Sequence, residues 1–135
     1  MTPSTRSRSV PAYAKTLLWV DCIGGALAGV AVIALSGLLS RLEGLPQALL
    51  IFTGAVNLLY ASYSYSLARR PKRPMWRIKL LVAVNLAWAP VCVGLLITFS
   101  APATLFSYLH LGGEAVYVAG LAALEWRYRE LLRTA

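Results

Sequence analysis

The sequence predicts an all-α polytopic membrane protein: four transmembrane helices in a compact antiparallel bundle, with both termini cytoplasmic. Three observations predict it. The 135-residue chain is 59% hydrophobic and 13% charged, against roughly 45–50% and 25% in an ordinary soluble domain. A chain this short buries too small a share of its surface in water to hide so much apolar matter. The charges are also clustered: Asp21 is the one charge between Lys15 and Arg41, and the stretches 44–67 and 80–113 carry none. Finally, Lys and Arg collect on alternate flanks of these gaps, as the positive-inside rule requires.

A hydrocarbon core about 30 Å thick needs roughly 20 apolar residues as helix. The first span is expected at about 16–39, ending in "SRLEGLP", and the second at about 45–68, ending in "ARRPKRP". The third is expected at about 76–99, ending in "SAP", and the fourth at about 102–125. Pro46 and Pro102 then fall in first turns, where a missing N–H costs little. Pro71 and Pro74 stop the second helix, whereas Pro90 lies within the third and should bend it. The four-span unit covers 15–128. Residues 1–14 read as a disordered basic tail and 129–135 as a cytoplasmic C-terminal tail. The first span is too long for a signal-peptide core and lacks a cleavage site, so it is expected to remain.

Orientation follows from the cations. Arg6, Arg8 and Lys15 precede the first span; Arg69, Arg70, Lys72, Arg73, Arg77 and Lys79 join the second to the third; Arg127, Arg129 and Arg133 end the chain. These twelve fall on one side and Arg41 alone on the other. The expected location is the inner membrane of the cell, multi-pass, with termini and central loop inside. Trp19, Trp76 and Trp126 sit at the inner boundary as anchors. The net charge of +8 thus reads as a topology signal that also attracts anionic headgroups. It is not a nucleic-acid footprint, which would need its cations on one folded face.

Inside the spans the polar residues are few and periodic. Thr53, Asn57, Tyr60 and Ser64 share one helical face. Asn85, Trp88 and Cys92 share another, and Ser107, His110, Glu114 and Tyr117 a third. Gly25-x-x-x-Gly29 on the first span is a small-residue packing motif. "AVNLLYA" at 55–61 is echoed by "AVNLAWA" at 83–89. Antiparallel spans put Asn57 and Asn85 at matching depth, where the amides can meet or share a partner. An inverted repeat about a site is the other reading of the echo.

Glu114 and His110 are the sharpest pair. A charge at mid-bilayer costs at least about 2.5–3.5 kcal/mol, so such residues face the interior and mark sites. With no Lys or Arg at that depth, His110, Asn57 or Tyr117 is the expected partner of Glu114. Imidazole titrates near neutrality, which suits the pair to carrying a proton. The candidate proton or ligand site is therefore Glu114, His110, Asn57, Asn85, Tyr117 and Tyr60. Asp21 is expected a turn inside the boundary, paired with Lys15 or Lys79. Cys22 and Cys92 fit neither a disulfide nor a ligand spacing. No metal cluster, nucleophile triad or phosphate loop is present, and no cofactor is expected.

The residues point to a non-enzymatic membrane component, either an accessory subunit or a small-ligand-binding bundle, acting as a homo-oligomer or within a larger complex. In size and four-span layout the chain resembles the small multidrug-resistance transporters. That resemblance implies a proton-coupled oligomeric transporter of small lipophilic solutes, with Glu114 as the carrier. Those proteins keep their essential glutamate in the first span, where this chain has Asp21, and their charge bias is weak. A third reading is a membrane enzyme on lipid or quinone, with His110 and Glu114 as acid and base.

Overall fold

The computed structural model describes residues 12–101 and 103–133. The expected N-terminal tail up to residue 11 and Pro102 lie outside them. The described residues form helices joined by short loops, with no strand among them: α1 (Ala12–Ala34), α2 (Ser36–Glu43), α3 (Gln47–Ala68), α4 (Met75–Thr98), α5 (Leu105–Ser107), a π turn (Tyr108–Gly112), α6 (Gly113–Arg127) and α7 (Arg129–Leu132). Three helices, α1, α3 and α4, are long and apolar enough to cross a membrane. α4, with 24 residues, is about 36 Å long at 1.5 Å per residue.

The surface is the greasy part. Leu59, Ile97, Leu105 and Val116 are each at least 70% exposed, whereas Asp21, Glu43, Asn85 and Glu125 are buried. This inverts the arrangement of a water-soluble protein, in which charged side chains almost never leave the surface.

Several boundaries differ from expectation for local reasons. α1 starts at Ala12 and breaks at Leu35, after which α2 carries the chain on to Glu43. Gly44, at φ 70°, closes α2 in the left-handed conformation, with its N–H on Ser40 O at 3.0 Å. Glycine suits that cap because it has no Cβ to clash. Pro46 precedes α3 as its cap residue instead of sitting in its first turn. The helical run from Leu105 to Arg127 corresponds to the fourth expected span, but passes through the π turn. Arg129–Leu132, expected in a tail, forms a short helix whose Leu132 is fully buried.

α1 packs along α3, and α4 along α6, while α3 and α4 barely touch. A backbone approach fixes the first pair: a Cβ on Gly29 would stand 2.8 Å from Gly54 O, and one on Gly54 2.6 Å from Ile33 Cγ1. Gly25 lies in the same seam at ordinary distance, with 3.5 Å available to Ala61 Cβ.

Both ends are tied. At one end, Arg73 is 3% exposed. Its guanidinium donates to Leu67 O at 2.5 Å, Ala68 O at 3.1 Å and Leu132 O at 2.8 Å. It thereby caps the C-termini of α3 and α7, where the helix dipole favours a cation. Burial pulls its pKa down from the usual arginine value. At the other end, the Thr104 hydroxyl donates to Leu42 O at 2.7 Å and Ser107 bonds Glu43 O. These stitches fasten the start of α5 to the end of α2.

Candidate functional site

Four of the five acidic residues, Asp21, Glu43, Glu114 and Glu125, lie in the interior; the fifth, Glu130, is exposed beside Arg133. Among the described residues, none of the four makes a salt bridge to lysine or arginine. Their partners are neutral donors and one histidine, in two groups.

The first group lies toward the Glu43 end. Glu114 Oε1 accepts from Asn57 Nδ2 and from the Trp88 indole N–H, each at 2.8 Å. Its Oε2 is 3.6 Å from His110 Nε2. The other ring nitrogen, Nδ1, is 2.7 Å from Glu43 Oε1. His110 therefore stands between two carboxyls, and the nearer is Glu43, not Glu114. The π turn makes this placement. It adds a residue to the turn holding His110, and such turns re-aim side chains inside otherwise regular helices. Beyond it the buried face runs through Leu111, Ala115, Val118, Leu121 and Glu125. Glu114 and Tyr117 are left at its edge.

The second group is nearer the Arg73 end. Asn85 Nδ2 donates to Glu125 Oε1 at 2.8 Å and to Asp21 Oδ2 at 3.3 Å. The Tyr60 hydroxyl donates to Asp21 Oδ2 at 2.6 Å. Asp21 and Glu125 thus share one donor, the Asn85 amide nitrogen. No donor among the described residues reaches Asp21 Oδ1 or Glu125 Oε2.

This corrects the expectation for Asp21. It pairs with Tyr60 and Asn85 rather than with Lys15 or Lys79, and is 1% exposed. The reason is depth. With α1 beginning at Ala12, Asp21 lies about 14 Å along the helix, at 1.5 Å per residue. α7 continues the last helix past Glu125 by a similar distance. The echoed asparagines also part company: Asn57 serves Glu114, and Asn85 serves Glu125 and Asp21. Tyr117, a candidate partner of Glu114, instead donates to Val20 O at 3.0 Å.

Sequence reasoning missed Glu125 and Glu43. Glu125 follows Glu114 by eleven residues, three helical turns, and so continues its stripe. Glu43 sits at a helix end before a turn, where periodicity carries no signal.

Two cavities adjoin these groups. One, of about 220 Å³, lies between α3 and α4. Val56, Val84, Val91 and Val118 make apolar walls, and Asn57, Tyr60, Asn85 and Trp88 give it polar edges. Val84 and Val91 are also exposed, which opens the cavity sideways. The other, of about 30 Å³, is lined by Asp21 and Tyr60 from the second group and by Asn57 and Glu114 from the first. Cys22 and Cys92 are buried free thiols, and the described residues contain no cluster able to hold a metal. In comparison with known proteins, no family model, no curated protein and no solved structure matches the chain.

Proposed function

We propose that the chain is a non-enzymatic component of the inner membrane that binds a small lipophilic molecule between α3 and α4. The helical run 105–127 is its fourth span, completing an antiparallel bundle. The Arg73 end and both termini face the cytoplasm and its anionic headgroups; the Glu43 end faces outward. The cation distribution supports this orientation.

One observation carries the binding reading: the side-opening cavity of about 220 Å³ between helices that barely touch. Sites for small molecules are concave, mostly apolar and furnished with a few polar groups. Here the walls are valines, and the polar groups are two amides, a phenol and an indole. An opening toward acyl chains admits a ligand dissolved in the bilayer. Nothing in the lining supplies a nucleophile, so binding accounts for it better than turnover.

The test is extraction. Protein purified in lipid nanodiscs should release about one equivalent of a lipophilic compound into organic solvent. Ala87→Phe, which fills the cavity from its α4 wall, should release none. Identical extracts from the two would overturn the reading.

A second reading, proton-coupled movement of such a molecule, is favoured by one relationship. Asn57 and Trp88 line the cavity and also donate to Glu114. A ligand that takes either donor changes what stabilises that carboxyl.

A further inference from the structure

We propose that the buried acids form a proton-transfer route, running from Glu43 and His110 through Glu114 and one water-sized cavity to the Asp21–Glu125 pair. It goes beyond ligand binding and does not depend on the α3–α4 cavity being filled.

The groups stand in sequence along the interior. Glu43 Oε1 is 2.7 Å from His110 Nδ1, and His110 Nε2 is 3.6 Å from Glu114 Oε2. From Glu114 the cavity of about 30 Å³ leads to Asp21 and Tyr60. A water needs roughly 10–15 Å³ and two to four polar partners; Glu114, Asn57, Tyr60 and Asp21 supply them. Asp21 and Glu125 then share the Asn85 amide nitrogen, at 3.3 and 2.8 Å. The order is carboxyl, imidazole, carboxyl, a cavity able to hold a water, and two carboxyls bridged by one amide. The step from His110 to Glu114, at 3.6 Å, is longer than a hydrogen bond and must tighten for transfer.

The proton accounting closes without a co-reactant. Imidazole takes a proton at Nδ1 from Glu43 and releases the one on Nε2 to Glu114. Glu114 passes its proton through the water to Asp21, and the Asp21–Glu125 pair holds it. A proton taken from water at Nε2 and return of the Nδ1 proton to the Glu43 carboxylate restore the starting state. One proton enters and one is stored, with no redox change.

Access is one-sided. The His110 side chain is 22% exposed, which opens the route at the Glu43 end. Beyond Glu125, Leu18, Leu67, Leu81 and Leu132 form a fully buried apolar layer toward the Arg73 end. Other titratable neighbours are few. Tyr117 lines the small cavity beside Asp21 and Glu114, Cys22 follows Asp21 on α1, and Cys92 lies one turn beyond Trp88 on α4.

The structure supplies a reporter, because the Trp88 indole donates to Glu114 Oε1. A variant with Trp19, Trp76 and Trp126 replaced by Phe leaves Trp88 as its single tryptophan. It is placed in liposomes in one verified orientation. The pH is swept on one side of the membrane while the other is clamped, and then the reverse. Trp88 emission should titrate with pH on the Glu43 side and ignore the Arg73 side. Glu114→Gln should flatten the curve. Asp21→Asn should move its midpoint by about one pH unit, the signature of interacting sites. Gly25→Ala, whose added methyl stands at an ordinary 3.5 Å from Ala61 Cβ and narrows the cavity that Gly25 lines, should shrink that movement. Helical circular dichroism confirms folding of each variant, and Glu125→Gln replaces Asp21→Asn if the latter unfolds. Emission that follows the Arg73 side, does not titrate, or keeps its midpoint in both folded inner-pair variants overturns the route.

Discussion

Asn85 and Glu125 meet across the α4–α6 seam at 2.8 Å, and the same amide nitrogen reaches Asp21. One neutral side chain thus organises two buried acids that no lysine or arginine among the described residues neutralises. Removing it should be far worse than removing a charge. Asn85→Leu strips both carboxyls of that donor, and an unsatisfied buried polar group costs about 1–3 kcal/mol. Glu125→Gln keeps a carbonyl to accept the Asn85 bond, so it should change stability by less than about 1 kcal/mol. Unfolding both variants in sodium dodecyl sulfate titrations checks the ordering; equal losses would contradict it.

Gly29 and Gly54 make a second comparison. A methyl on Gly29 would stand 2.8 Å from the Gly54 carbonyl oxygen, a backbone atom that moves only with its helix. Gly29→Ala should therefore push α1 from α3 and cost about 1–3 kcal/mol, the range for overpacked interiors. Gly25→Ala meets ordinary contacts and should stay within about 0.5 kcal/mol of the parent. The two glycines of one motif are distinguished by what faces them, and thermal unfolding of the pair measures the difference.

How much of this was legible in the sequence depends on the physics behind each feature. Charge gaps delimit α3 and α4 to within a residue or two, because hydrocarbon excludes charge sharply. They misplace the first helix: Lys15 reads as an edge, yet α1 begins at Ala12, and the long lysine stem can reach outward from within a helix. That small error made Asp21 look peripheral. Helical spacing brought Asn57 and Glu114 to one another, since it depends only on turn geometry. It placed Tyr117 on the wrong partner because the π turn, which no local residue type announces, shifts the face of the last helix. Glu43 was invisible for another reason. Its place beside His110 is set by the stitch between α2 and α5, contacts more than sixty residues apart in sequence.

Arg73 yields a prediction that separates structure from topology. Its neighbours Arg69, Arg70 and Lys72 are exposed and serve the proposed orientation only as charges, so replacing one by glutamine should leave stability within about 0.5 kcal/mol. Arg73 donates to three carbonyls on two helix ends. Hydrogen bonds from a charged donor contribute about 1.5–3 kcal/mol each relative to leaving the acceptors bare. Arg73→Gln should lower the unfolding free energy by about 3 kcal/mol and free the C-terminal turn. Faster amide exchange at Leu131 and Leu132 is the local readout, and unchanged exchange there would refute the staple.

The chain has a single histidine, so nitrogen-15 resonances of a His-labelled sample report one ring. Glu43 holds Nδ1 at 2.7 Å while Glu114 stands 3.6 Å from Nε2, so orientation of the ring belongs to Glu43. Glu43→Leu should release the imidazole, averaging its two nitrogen signals toward those of a free ring, because no other described residue anchors the Nδ1 side. Glu114→Gln should leave the Nδ1 signal in place and move mainly Nε2. Buried side chains hold a fixed tautomer when one nitrogen has a strong partner, so the asymmetry between the variants tests the geometry directly. If both shift the two signals alike, the ring is centred between the acids, and Glu43 does not position it.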